Sequence, residues 1–339
     1  MCDMMIAPQD YHNVRTWLEA CRRPLLVTHR RPDGDALGAL AALTLVLRGW
    51  KQDPRPALYE PFPPRYALLA GLTAWHDWGQ EHGKLTAECD ALVILDTCAA
   101  AQLEPLAGYL PHAARTLVID HHATRDPLAT RATDLCLFDE SAGAVCLLIA
   151  EWMKTAGVAL TAPIATALLT GLGTDCGWFR FANTDARMLR KAAELSEAGA
   201  SANAIYRAIY EQDPPAKLRL IARMLETLES HAAGRLAVMS LRKTDIEAAG
   251  ADRALTEDLV NEAGRLAGME ATLLFTEERD SSVRVNFRSK STLDVAALAS
   301  RFGGGGHTRA AGARPAGTWD EVVPRVIAET LAALGSPPR

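Results

Sequence analysis

Three short runs rich in Val, Ile and Leu, PLLVTH (24–29), ALVILDT (91–97) and TLVIDHH (116–122), alternate with stretches long enough for helices. A strand that is apolar along most of its length must be buried on both faces, as in a parallel sheet covered by crossover helices. The pattern therefore predicts an α/β fold with a doubly wound, mainly parallel sheet in the N-terminal half. DLCLFD (134–139) reads as a further strand, and helices are expected over 35–50, 142–156 and 161–173.

The chain has 339 residues, more than one hydrophobic core usually organises, so a second domain is expected. Between about 185 and 230 the sequence turns helical and polar, broken at Pro214 and Pro215. Beyond it RLAVMSLR (235–242), ATLLFTEE (271–278) and SVRVNFRS (282–289) read as strands, with helical segments near 256–267 and 293–301. A four-glycine loop, Gly303, Gly304, Gly305 and Gly306, precedes a terminal helix near 319–334. The expected organisation is a metal-binding catalytic domain over 1–190, a helical linker over 191–230, and a smaller mixed α/β substrate-binding domain over 231–339.

Charge and cysteine usage narrow the function. The net charge of −5 disfavours a surface built to track long duplex nucleic acid by counterion release, and points instead to small anionic ligands. Seven scattered cysteines form no C-x-x-C pair, so buried thiols in a reducing cytoplasm are expected rather than disulfides or a zinc knuckle. No stretch approaches 18 uninterrupted apolar residues and the first residues lack a basic-then-apolar leader, so no membrane association is expected.

Ligands of an open parallel sheet bind beyond the carboxyl ends of its strands. There the chain places His29, with Asp33 and Asp35 in the loop that follows; Asp96; and Asp120, His121 and His122. Asp175, in TGLGTDCGWFRFANT (170–184), closes a helical run. Taken singly, Asp33 and Asp35 fit an N-cap pair equally well, and Asp96 a simple cap. Together, His29, Asp33, Asp35, Asp96, His121 and Asp175 are six carboxylate and imidazole ligands with no thiolate. That set suits Mn2+, with Mg2+ or Co2+ as alternatives. So many carboxylates call for two divalent ions, the arrangement that serves phosphoryl displacement.

The order H-x-x-x-D-x-D, a later strand-end aspartate, D-H-H and a further aspartate resembles the DHH phosphoesterase superfamily, which includes RecJ-type exonucleases and manganese-type inorganic pyrophosphatases. VNFRSKSTLDVAALASRFGGGGHTRAAG (285–312) is similar to that superfamily's associated nucleotide-binding domain. Within it, DGD, TDCGWFRFANT and FRS followed by GGGGH resemble the short two-domain oligoribonucleases that are also phosphatases of 3'-phosphoadenosine 5'-phosphate (pAp). The resemblance implies that His29, Asp33 and Asp96 hold one ion and that Asp35, Asp96, His121 and Asp175 hold the other, with Asp96 bridging. Asp120 would act from behind the ligands, and His122 would face the phosphate, so that Asp96, Asp120 and His122 carry the catalysis.

Arg288, Ser289, the glycines Gly303 to Gly306 and His307 would bind substrate. The residues themselves agree: Arg284, Arg288, Lys290, Arg301, Arg309 and Arg314 form a basic island against Asp294 alone. The implied activity is hydrolysis of short RNA oligonucleotides and of pAp to AMP by two-metal activation of water. The alternatives are a phosphodiesterase acting on cyclic or linear dinucleotides, a manganese-type pyrophosphatase and, in a different class, an inactive nucleotide sensor. A homodimer is allowed by this reading.

Overall fold

A computed structural model describes residues 6–123 and 125–335. They form two compact units that divide between Gln212 and Asp213.

The first unit is built on six strands, β1 (Pro24–Val27), β2 (Arg55–Leu58), β3 (His76–Asp77), β4 (Ala91–Leu95), β5 (Thr116–Asp120) and β6 (Leu135–Phe138). Their order is β3-β2-β1-β4-β5-β6 and every pairing is parallel. The four strands expected from sequence are present. β2 and β3 were not expected, because RPAL carries a proline and β3 is only two residues long.

The helices of this unit are α1 (Pro8–Glu19), α2 (Gly34–Gly49), α3 (Ala67–Ala70), α4 (Trp78–Glu88), α5 (Val145–Thr155), α6 (Ala162–Asp175), α7 (Ala186–Glu197) and α8 (Ala202–Tyr210). Alternate strand residues feed two separate cores. Leu26, Val93, Leu117 and Ile119 pack with α2, α5 and α6. Leu25, Val27, Leu92, Ile94 and Val118 pack with Trp78 and Leu85 of α4 on the other face. This is the doubly wound arrangement that the sequence pattern predicts.

The strand order reverses between β1 and β4, where Val27 pairs with Ile94. At such a switch point the connections leave in opposite directions and open a crevice at the strand ends. His29 and Asp96 follow β1 and β4 into it.

The second unit comprises α9 (Pro215–Glu226), β7 (Glu229–His231), β8 (Leu236–Leu241), α10 (Lys243–Ala248), β9 (Ala271–Glu277), β10 (Val283–Ser289), α11 (Val295–Ser300), β11 (Gly305–His307), β12 (Ala310–Ala313) and α12 (Trp319–Leu334). Its sheet runs β11-β12-β10-β9-β8-β7, parallel only between β8 and β9, and is therefore mixed as expected. The stretch expected as a linker is shared between the units: α7 and α8 lie in the first and α9 in the second.

Two local expectations are corrected. The segment near 256–267 is a pair of short 3-10 turns, Arg253–Thr256 and Leu259–Arg265, rather than an α-helix. The four glycines are not all loop, because Gly305–His307 pairs with β12. A Cβ at Gly304 would stand 2.1 Å from the Gly312 carbonyl oxygen, and Gly306 has a φ of +143°, so backbone packing against β12 itself requires glycine there.

Candidate metal centre

The close crossing of α2 and α6 assembles the site. A Cβ at Gly38 would lie 2.4 Å from the Ala167 carbonyl oxygen, and one at Gly171 would lie 2.6 Å from Asp35 Oδ1. Small residues thus let the backbones of the two helices approach until Asp35, in the first turn of α2, and Asp175, the last residue of α6, converge.

Asp33 is the N-cap of α2, its carboxylate accepting from the amides of Asp35 (2.9 Å) and Ala36 (3.1 Å). Capping does not preclude a ligand role, since one carboxylate oxygen takes both amides. Asp35 is completely buried and accepts from the amides of Val145 (2.6 Å) and Cys146 (3.0 Å) at the start of α5. An aspartate on unpaired helix amides is well placed electrostatically. Asp96 has a φ of +62°, a conformation aspartate tolerates better than most residues, and its amide donates to the Ile119 carbonyl at 3.0 Å.

Both ring nitrogens of His29 and His121 have defined jobs. Each donates from Nδ1 to a carbonyl, His29 to Arg30 at 2.8 Å and His121 to Ala142 at 2.9 Å. That leaves each Nε2 to present a lone pair to the crevice, the arrangement typical of a metal-ligating histidine. His29 Nε2 lies 3.6 Å from Asp96 Oδ2, and His121 Nε2 lies 3.4 Å from Asp96 Oδ1 and 3.9 Å from Asp35 Oδ2.

Ligand-capable atoms gather in three overlapping groups, each within 4.8 Å: His29, Asp33 and Asp96; Asp35, His121 and Asp175; and Asp96, His121 and His122. In the third group His122 Nδ1 is 3.9 Å from Asp96 Oδ1, but it is already engaged by Asp120 Oδ1 at 2.8 Å. Asp120 also accepts from the His121 amide at 2.8 Å, so it fixes both histidines from beneath.

The electrostatics are those of a site short of positive charge. Burial would lower the His29 and His121 pKa values, but neighbouring carboxylates overcome it: Asp96 and Asp33 hold His29 up at about 9, and Asp96 and Asp35 hold His121 at about 10. Burial raises Asp33, raises Asp35 well above the usual carboxylate range, and takes Asp175 to about 7, with neighbouring aspartates adding to each. Asp96 alone is lowered, His121 and His29 outweighing its burial. Buried Asp96 Oδ1 and His121 Nε2 have no hydrogen-bond partner. Such orphaned atoms are costly unless something occupies the space between them, and an oxygen- and imidazole-binding cation fits that need.

Sequence reasoning placed Asp120 behind the candidate ligands but missed Asn183 and Arg187. Asn183 Nδ2 donates to Asp175 Oδ2 and to the Gly143 carbonyl, both at 3.1 Å. Arg187 reaches Asp139 Oδ2 at 2.7 Å and grips Glu151 with two nitrogens. Asn183 stood inside the FANT motif, but only the left-handed turn of Gly177, Trp178 and Phe179 brings it back to Asp175. Half-buried Trp178 packs between Gly173 and the Tyr206 and Tyr210 rings.

In the second unit Arg288 Nε donates to Asn261 Oδ1 at 2.9 Å, and the Ser289 amide donates to the Arg309 carbonyl at 2.9 Å. The basic island is partly neutralised by two glutamates, Glu278 and Glu329, that lie outside it. Arg284 and Arg314 face Glu278, and Arg301 pairs with Glu329. The His307 side chain lies outside the described structure.

The chain matches the DHH family N-terminal domain over residues 24–172 and the DHHA1 domain over 234–334. It belongs to the DHH family and is a hydrolase of the phosphoesterase class. Among its relatives is the bifunctional oligoribonuclease and PAP phosphatase NrnA of Thermus thermophilus, 32% identical over 316 residues that span 91% of this chain and 90% of that one. The protein of the same name from Bacillus subtilis is 29% identical over 308 residues, 90% of this chain and 92% of that one. The fold is shared with an exopolyphosphatase-related protein from Bacteroides fragilis, at a TM-score of 0.88 and 21% identity over 98% of this chain and 97% of that one.

Proposed function

We propose that this protein hydrolyses phosphoester bonds in short oligoribonucleotides and converts pAp to AMP, using two divalent ions, Mn2+ by preference. The observation that carries the reading is the pairing of ligand groups around Asp96: His29 and Asp33 on one side, His121 with Asp35 and Asp175 on the other. Similarity to the NrnA proteins over nine-tenths of the chain supports the substrate class.

His29, Asp33 and Asp96 would hold one ion, and Asp35, Asp96, His121 and Asp175 the other. When bound, such a pair supplies Lewis acidity, which offsets phosphate charge and makes water acidic enough to serve as a nucleophile near neutral pH. The protein's own groups do the rest. Asp120 fixes His122 through Nδ1, leaving Nε2 as a donor on the half-exposed side of the ring. From there His122 hydrogen-bonds a phosphoryl oxygen or protonates the departing oxygen. Asp120 stabilises the imidazolium it holds, and its hydrogen bond raises the His122 pKa.

Arg288 would provide the anion-binding group of the second unit, whereas the amides of Ser289, Gly303 and Gly304 are taken by the Arg309, Ser300 and Ala299 carbonyls. Arg288 is pre-set by Asn261, and burial lowers its pKa. No helix among the described residues is long and apolar enough to cross a membrane. The six cysteines among the described residues are free thiols, which suits the cytoplasm.

The test is product analysis with Mn2+ on a 5'-phosphorylated RNA dinucleotide, pAp, a cyclic dinucleotide and pyrophosphate. Mononucleotides and AMP from the first two, well ahead of the others, are expected. Preference for the cyclic dinucleotide or pyrophosphate would replace the substrate assignment, and inertness towards all four would leave a nucleotide sensor.

A further inference from the structure

Asp35, His121 and Asp175 share a feature that His29 and Asp33 lack. The bonds orienting His29 and Asp33 are local, to Arg30, Asp35 and Ala36. Those orienting the other three converge on residues 142–146, which lead into and open α5. His121 donates to the Ala142 carbonyl, and Asp35 accepts from the Val145 and Cys146 amides. Asp175 joins through Asn183, whose side-chain amide spans Asp175 Oδ2 and the Gly143 carbonyl at 3.1 Å each, with the Asp175 carbonyl at 3.5 Å.

The same segment is clamped from behind. Arg187 holds Asp139, whose carboxylate accepts from the Ser141 amide (2.9 Å) and hydroxyl (2.6 Å). Gly143 is pressed so closely on Asn183 that a Cβ there would lie 2.6 Å from the Asn183 carbonyl oxygen and 2.2 Å from Met188 Sδ. Residues 183–188 therefore grip the segment that orients three ligands on one side of Asp96.

We infer that Asn183 is a positioning residue for one metal position only, the one formed by Asp35, His121 and Asp175, so that the affinities of the two positions are separable. The inference rests on the two-ion reading above. By occupying Asp175 Oδ2 from one direction, the Asn183 donor fixes the carboxylate's rotation and aims its remaining lone pairs. Through Gly143 it also holds the backbone that sets His121 and Asp35. Hydrogen bonds behind a ligand typically change metal affinity by roughly 10- to 100-fold.

Asn183 is exposed, so its substitution does not disturb a core. Asn183→Leu keeps roughly the volume and removes the donor without adding a charge that would itself attract a cation; Asn183→Gln keeps a side-chain amide donor. Equilibrium dialysis of the full chain against Mn2+, with thermal melting of the metal-free protein as the measure of folding, separates the cases. Wild type is expected to hold two ions. Asn183→Leu should keep one at wild-type affinity and weaken the second by roughly 10- to 100-fold, with Asn183→Gln between wild type and leucine and the melting point unchanged. Equal weakening of both positions, wild-type binding in Asn183→Leu, or a larger loss in glutamine than in leucine would overturn the inference alone. Wild type holding a single ion would overturn the two-ion reading and this inference with it.

Discussion

Asp120 Oδ1 lies 2.8 Å from His122 Nδ1, and that contact decides which nitrogen of the ring is left facing outward. His122→Ala should lower kcat by about 10²- to 10⁴-fold, the usual worth of a positioned general acid, while the bound-metal content stays at the wild-type value. Asp120→Asn should give a smaller loss, since the ring survives without its orienting carboxylate. Steady-state kinetics with metal analysis checks both, and a metal-free His122→Ala protein would recast His122 as a ligand.

The crossing of α2 and α6 makes a stability prediction tied to the site. Gly171→Ala would drive a Cβ to 2.3 Å from Cys146 Sγ and 2.6 Å from Asp35 Oδ1. Overpacking of this kind costs about 1–3 kcal/mol, and here it should also weaken metal binding by displacing Asp35. Gly49→Ala, at the end of α2 with nothing within 4 Å, should be neutral or slightly stabilising. Denaturant melts of the two variants test the contrast.

The Arg187 cluster predicts how stability depends on pH. Burial would raise the Asp139 carboxyl, but hydrogen bonds from Ser141 and Arg187 together with the Arg187 charge hold it below its usual range. As pH falls, the unfolded chain therefore takes up the proton first. The stabilisation is present above the unfolded pKa of about 3.9 and is lost as pH drops through the lower folded value. Asp139→Asn should flatten that acid limb in urea melts between about pH 2 and 5. Arg187→Ala should cost more than the ~1 kcal/mol of an exposed ion pair and less than the ~3–5 kcal/mol of a fully buried one.

In the second unit, Arg288→Ala should act mainly by raising KM for short RNA and pAp, and Arg288→Lys should rescue only in part because the fork of donors is lost. Arg301→Ala, which removes a surface pair with Glu329, should leave kinetics unchanged. A large kcat loss in Arg288→Ala with KM intact would place the arginine at the chemistry instead.

The clustering of the candidate residues was legible in the sequence because strand ends in a parallel sheet converge, so His29, Asp96 and His121 could be placed together before any geometry was known. Asn183 and Arg187 were not, because their roles depend on a left-handed turn at 177–179 and on α7 lying against α5. β2 and β3 escaped because they are short and carry little β signal. The glycine segment was misjudged for a related reason: its glycines read as loop, while packing against β12 makes Gly305–His307 a strand. Likewise the basic island lost several charges to Glu278 and Glu329, partners that only folding supplies.

The most direct test of the two-ion centre is pAp hydrolysis by chelator-treated protein as Mn2+ is restored, run beside Asp96→Ala with bound metal measured throughout. The account predicts no turnover without metal, activity in the wild type that rises with the second ion per chain, and at most one ion and no turnover in Asp96→Ala. Turnover by the metal-free protein, or an Asp96→Ala protein that binds two ions and keeps wild-type rates, would contradict it.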